Sequence, residues 1–302
     1  MNKTEILKAL TAAFRKEFSD GLGFREPTYA KVAMTIPSTT ATNTYAWLSA
    51  FPRMKEWVGE RTLNKLGKQA MSIENKLFES TVSVPRTDIE DDQMGIYRPI
   101  MKQAGVSAAE LPDDLVWPLL AKGKATLCYD GQNFFDTDHV WYENVDGTGT
   151  TKNMSNLTTG TDADAPTWYV IDDTNVLKPL VYQERTKPEF EIKFDPSKSD
   201  KVFLEDVYLY GIRARGNAGF GLWQLAHMVE KTNLPKAALA KVVKEMKELK
   251  TDGGYDLKIR PSLLVVPPAL EETAREILEQ TIQDGTTNIW AGRLKLHVEY
   301  GL

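Results

Sequence analysis

The feature that most constrains this chain is a stretch that cannot fold by itself. Residues 53 to 84 read as a long two-stranded excursion. Glu56 to Arg61 go out, Leu77 to Val84 return in strand alternation, and a charged, glycine-containing tip lies at Lys65 to Gln69. An isolated two-stranded ribbon is at best marginally stable in water, so one this long and polar is expected to rest on a neighbour. Residues 27 to 50 are rich in Thr, Ala and Ser without a strong period, which fits an extended segment lying on another surface. Both stretches point toward assembly. Arg61, Lys65, Lys68 and Lys76 make a basic cluster on the excursion, read either as a solvated face or as a contact for an acidic patch on a neighbouring subunit.

The rest of the chain can bury a core. It has 302 residues, 42% of them hydrophobic, enough for one large domain or two ordinary ones. A net charge of -5 gives no bias toward a polyanion. The single cysteine, Cys128, cannot form an intrachain disulfide, and a buried, inert thiol is its expected state. The amino terminus lacks the apolar core of a signal peptide, so the protein is expected to be made and kept in the cytoplasm of its producing cell. No run approaches the ~20 apolar residues that cross a bilayer. The nearest, Ser262 to Val266, is cut off by Pro261 and Pro267, and membrane insertion is excluded.

Periodicity predicts a helix over 4–19, with Leu7, Leu10, Phe14 and Phe18 on one face and Gly21-Leu22-Gly23 ending it. Pro85 stops the returning strand. Thr87 and Glu90 then have the spacing of a capping box, ahead of a helix through Ile96, Tyr97, Ile100 and Met101 that Gly105 breaks. A second helical stretch through Leu115, Val116, Leu119 and Leu120 follows Pro112. Residues 144 to 166 look like a flexible surface connection. Strands are expected at 168–171, 180–182, 190–194, 207–215, 257–266 and 294–298, and helices at 235–250 and about 271–283. This is an α+β mixture without regular βα alternation or internal repeat.

Chemistry is sparse. Asp136, Asp138 and His139 gather oxygen and nitrogen ligands near a turn, but no second cluster elsewhere matches them, and a hydrogen-bonded loop is the preferred reading. Gly216 to Gly221 has neither the dinucleotide glycine spacing nor a P-loop ending, and reads as a backbone bend before a packed Trp223. His227 and His297 stand alone in apolar sequence and are expected to be structural.

Several segments resemble the major head subunit of Mu-like bacteriophages. They are Phe78 to Asp92, Tyr129 to His139, Tyr208 to Ala226, and Arg260 to Leu270, and the likeness spans nearly the whole chain. It implies an α+β fold of the Hong Kong 97 type with an amino-terminal arm at 1–51 and an extended loop at 52–84. A peripheral domain at 85–160 would carry a long spine helix from near Thr87. A strand-rich block at 161–231 would complete the peripheral and axial domains, and the axial domain itself would occupy 232–302. It further implies a structural protein, not an enzyme, with no catalytic, cofactor-binding or metal-binding residues. Such a protein self-assembles into pentamers and hexamers of an icosahedral head and holds double-stranded DNA non-specifically on its inner surface. The implied partners are other copies of the chain, a scaffold and protease, a portal and possible decoration proteins, with assembly in the bacterial host cytoplasm and a final place in the virion capsid. Two alternatives stand beside it: a cellular nanocompartment shell, and a metal-dependent hydrolase centred on Asp136, Asp138 and His139. Relative to the family order, the blocks 161–231 and 232–302 read as exchanged, with both joins in polar, loop-like sequence.

Overall fold

A computed structural model describes residues 3–45, 71–91, 94–145, 147–283 and 285–302. Helix α1 (Lys3–Leu22) buries Leu10, Phe14 and Phe18, the four-residue steps that predicted it. Strands β1 (Ala33–Pro37) and β2 (Thr42–Tyr45) follow, and beyond residues 46–70 come β3 (Met71–Glu74) and β4 (Lys76–Pro85). A short α2 (Arg86–Glu90) leads to the 28-residue α3 (Met94–Ala121). The predicted capping box does not form: Pro85 holds the N-cap position without a side-chain bond, and Thr87 lies within the first turn of α2.

Helix α3 joins the two helices expected on either side of Gly105 and runs through Pro99, Pro112 and Pro118. Each proline removes one helical N–H, leaving the carbonyls of Gly95, Ala108 and Asp114 without their usual donor. Burial of Met101, Val106, Val116, Trp117 and Leu120 offsets that cost. Gly105 is a contact and not a break. A Cβ there would lie 2.2 Å from the Phe18 carbonyl oxygen, and one on Gly21 would lie 2.1 Å from that of Lys102, so α1 and α3 cross backbone to backbone.

The chain continues through β5 (His139–Tyr142), β6 (Thr151–Met154), β7 (Leu157–Thr159), β8 (Trp168–Ile171) and β9 (Leu180–Lys193). After α4 (Asp200–Leu204) come β10 (Val207–Phe220) and β11 (Ala226–Glu230). The last elements are α5 (Lys236–Lys247), β12 (Leu263–Val266), α6 (Glu271–Leu278), the small pair β13 (Ile282–Gln283) and β14 (Thr286–Thr287), and β15 (Lys295–Val298). The two larger sheets have the orders β1-β9-β10-β4 and β15-β12-β8-β11-β7, and β2-β3, β5-β6 and β13-β14 form two-stranded sheets. The two strands expected at 180–182 and 190–194 are one, β9. It passes Pro188, which cannot donate to the ladder, and the register with β10 shifts there between Arg213 and Arg215.

A larger core gathers Trp117, Phe134, Phe135, Trp168, Tyr169, Phe220 and Trp223 with the strands and helices of the five-stranded sheet. A smaller one holds Leu10, Phe14, Val84, Ile89, Met101, Tyr208 and Tyr210. Within the stretch 27–50 expected to lie on another surface, residues 33–37 pair with their own chain as β1. Helix α1 packs on α3 and the sheet, and β1 pairs in parallel with β9, Ala33 opposite Leu180. As an edge strand β1 has few inward positions, and its composition sets no strong period.

Candidate functional site

Strands β2 and β3, which flank residues 46–70 in the chain, pair antiparallel with Tyr45 opposite Met71. The returning strand β4 pairs antiparallel with β10, Pro85 opposite Val207 through Lys76 opposite Gly216. Glu56 to Arg61, Lys65, Lys68 and the tip Lys65 to Gln69 lie outside the described residues, whereas Lys76 is exposed at the start of β4. The root of the excursion is held by Gln183, fully buried on β9. It accepts from the Tyr45 hydroxyl at 2.7 Å and donates to the Ile73 carbonyl at 3.1 Å, so one side chain ties both strands of the root to the sheet.

A second set of polar contacts closes the outer end of the root. Asn75 donates to Ser38 Oγ and to the Thr40 carbonyl, both at 2.8 Å, and Ser38 donates to Asn43 Oδ1 at 2.9 Å. The glycines of β10 make room for it. A Cβ on Gly219 would lie 2.3 Å from Ile73 Cδ1, and one on Gly216 2.7 Å from the Gln183 carbonyl oxygen. The bend expected at Gly216 to Gly221 is therefore mostly strand, and its glycines serve close approach. Sequence reasoning missed Gln183 and Tyr45, because partners 138 residues apart leave no local signal.

The residues Asp136, Asp138 and His139 are not brought together as a ligand set. His139 is wholly buried, stacked on Trp223 at 3.8 Å, and turned toward Asp130, whose Oδ2 lies 2.7 Å from Nδ1. Asp136 instead accepts from the Thr137 amide, and its proximity raises the pKa of exposed Asp138. Cys128 is buried as expected and donates to Asp130 Oδ1 at 3.0 Å. Burial, with the Asp130 carboxylate beside it, pushes the thiol pKa well up. Burial also works to raise Asp130, but the bonds from His139 and Cys128 outweigh it and hold that carboxyl below its usual range.

The two other histidines are buried but not alone. His227 meets Thr158 Oγ1 at 2.9 Å, and His297 stacks on Trp117 with Lys31 at Nδ1 and Glu299 at Nε2. Among the described residues no helix is long and apolar enough to cross a membrane.

Large apolar side chains stand in solvent at several places. Phe203 is 71% and Leu204 76% exposed on α4, Phe194 is exposed on the same turn between β9 and β10, and Ile96 and Ile100 are exposed on α3. Contiguous apolar groups left open to water are a feature of association surfaces, whereas single ones are ordinary.

Comparison with known proteins shows what this chain is similar to. The "Mu-like prophage FluMu major head subunit" of Haemophilus influenzae is 44% identical over 283 residues, covering 92% of this chain and 90% of its own. The "Major capsid protein" of Escherichia phage Mu is 42% identical over 296 residues, 97% of this chain and 96% of its own. Among solved structures, the subunit in the procapsid of bacteriophage JBD30 superposes with a TM-score of 0.90 at 46% identity over 100% of both chains. The α+β fold is accordingly of the Hong Kong 97 type, and phage heads, not nanocompartments, are what the chain resembles.

A match running through 97% of one chain and 96% of the other in a single order overturns the expected exchange of the C-terminal blocks. In the fold, Gly160 donates to the Glu230 carbonyl at 2.9 Å and Asp162 to that of Lys231 at 3.0 Å, so both joins lie side by side at the end of the parallel pair β7 and β11. With residues 7–300 matched by the model of the family described as Mu-like prophage major head subunit gpT, the chain belongs to that family.

Proposed function

We propose that the protein works as the major capsid protein of a Mu-like phage or prophage, by self-association alone and without catalysis. The observation that carries this is the near full-length likeness to head subunits, joined to a root, β2 and β3, built to present residues 46–70. In this reading rings of five and six copies tile a closed head around double-stranded DNA. The excursion reaches a sister molecule, while Gln183 and the Asn75 contacts keep its base fixed to the sheet. Helix α3 is the spine of a peripheral domain, and the five-stranded sheet with α5 and α6 forms the axial domain. A rigid body with one adjustable projection suits positions whose neighbour angles differ slightly.

A scaffold and protease, a portal and decorating proteins are the partners such a shell needs, and the host cytoplasm is where it forms. The test is deletion of Asn64 to Gln69. Purified subunit should keep its thermal unfolding temperature, whereas negative-stain microscopy of the overexpressed variant should show few closed shells. Normal shells from that variant would remove the role given to the excursion.

A further inference from the structure

Cys128, Asp130 and His139 place a thiol, a carboxylate and an imidazole donor all within 4.8 Å of one another, on a loop unrelated to the excursion. We propose that these three side chains form a site for one divalent cation of the zinc class. The donor types are those zinc takes, and three protein ligands with a water in the fourth position make a tetrahedral set. The contacts are now hydrogen bonds, 3.0 Å from Cys128 Sγ to Asp130 Oδ1 and 2.7 Å from His139 Nδ1 to Asp130 Oδ2. Ligand bonds of about 2.0–2.3 Å correspond to donor separations of roughly 3.4 Å, so the two pairs with Asp130 would open by less than about 1 Å, and the Cys128 and His139 donors, within 4.8 Å of each other, would come to the same separation. Gly131, at φ +85°, forms the turn that would give.

Charge balance favours occupancy. A dication with one thiolate, one carboxylate and a neutral imidazole sums to zero, which a buried position tolerates better than the Asp130 charge alone. Binding breaks the S–H bond, forms an S–metal bond and releases that proton to solvent; nothing is oxidised or reduced. The side chain of Asp130 is 19% exposed and gives the route in, since that of His139 is 0% exposed. Nδ1 is the nitrogen that faces Asp130, while Nε2 of the same ring is buried without a hydrogen-bond partner. Nδ1 can ligate as it stands. A half-turn about Cβ–Cγ, which keeps the ring in its plane against Trp223, offers Nε2 to the cluster in its place.

The test uses the full chain as purified, stripped with a chelator and titrated with Co2+ as the spectroscopic probe and Zn2+ as competitor. The expected result is one Co2+ per chain with a thiolate-to-cobalt absorption band, displaced by Zn2+, and a rise in unfolding temperature with free metal. Cys128→Ser keeps a donor for Asp130, so the metal-free protein should fold, but the band should vanish and affinity should drop at least about tenfold. His139→Gln should lower affinity similarly without removing the band. Binding below one equivalent, no thiolate band, or unchanged affinity in both variants would overturn the proposal, whether or not the protein forms shells.

Discussion

His227 shows how much one buried side chain can set. It is 1% exposed on β11, and burial, reinforced by the Lys241 ammonium, lowers its pKa to about 3. Glu245 lies 3.9 Å from Nε2, a contact that would favour the charged ring, but Lys241 sits 3.7 Å from the same carboxylate and cancels most of that pull. The ring is therefore neutral in the folded chain and protonates near 6.5 once unfolded. With the folded pKa below the unfolded one, this group's effect on stability is nil above pH 6.5 and grows more adverse as pH falls toward 3. The slope is roughly 1.4 kcal/mol per pH unit in that window. His227→Gln should flatten the acid side of the stability profile, read from urea midpoints at a series of pH values; an unchanged slope would show that the ring protonates in place. From sequence His227 reads as a lone structural histidine, which is right about burial. Its partner Thr158, 69 residues away, had no sequence signal.

At the scale of elements, the crossing of α1 and α3 depends on two glycines that periodicity reads as punctuation. Gly105→Ala sets a methyl against the Phe18 backbone, which cannot swing aside as a side chain would, and should cost about 1–3 kcal/mol by forcing the helices apart. Gly95→Ala in the same helix meets nothing within 4 Å and should stabilise by about 0.5–1 kcal/mol. The pair, compared by thermal unfolding, separates packing from helix propensity, and equal effects of one sign would refute the crossing. What periodicity can show is a face; it cannot show that a proline or glycine is tolerated by packing. So α1, α5 and the strand β8 were legible, while α3 was cut at Gly105 and Pro112, and β9 at Pro188. Alternation over Leu77 to Val84 announced a strand correctly but did not name β10 as its partner, since pairing is set by residues more than a hundred positions away.

At the scale of the whole molecule, the two cores gather most of the buried apolar side chains, and the turn at α4 leaves large apolar groups in solvent. Val202 anchors α4 with none of its surface exposed, and the neighbouring Phe203 and Leu204 stand in solvent at 71% and 76% exposure. Nothing within the described chain rewards that arrangement, whereas a sister subunit of a head would bury it at roughly 25 cal/mol per Å² of apolar area. Phe203→Ser combined with Leu204→Ser should therefore leave subunit stability within about 0.5 kcal/mol, as for surface positions away from any core. The same pair should shift overexpressed protein from fast-sedimenting particles to free subunits or small rings. Should the double variant unfold at a lower temperature and still close shells, the turn would belong to the subunit's own core and the contact between copies would have to lie elsewhere.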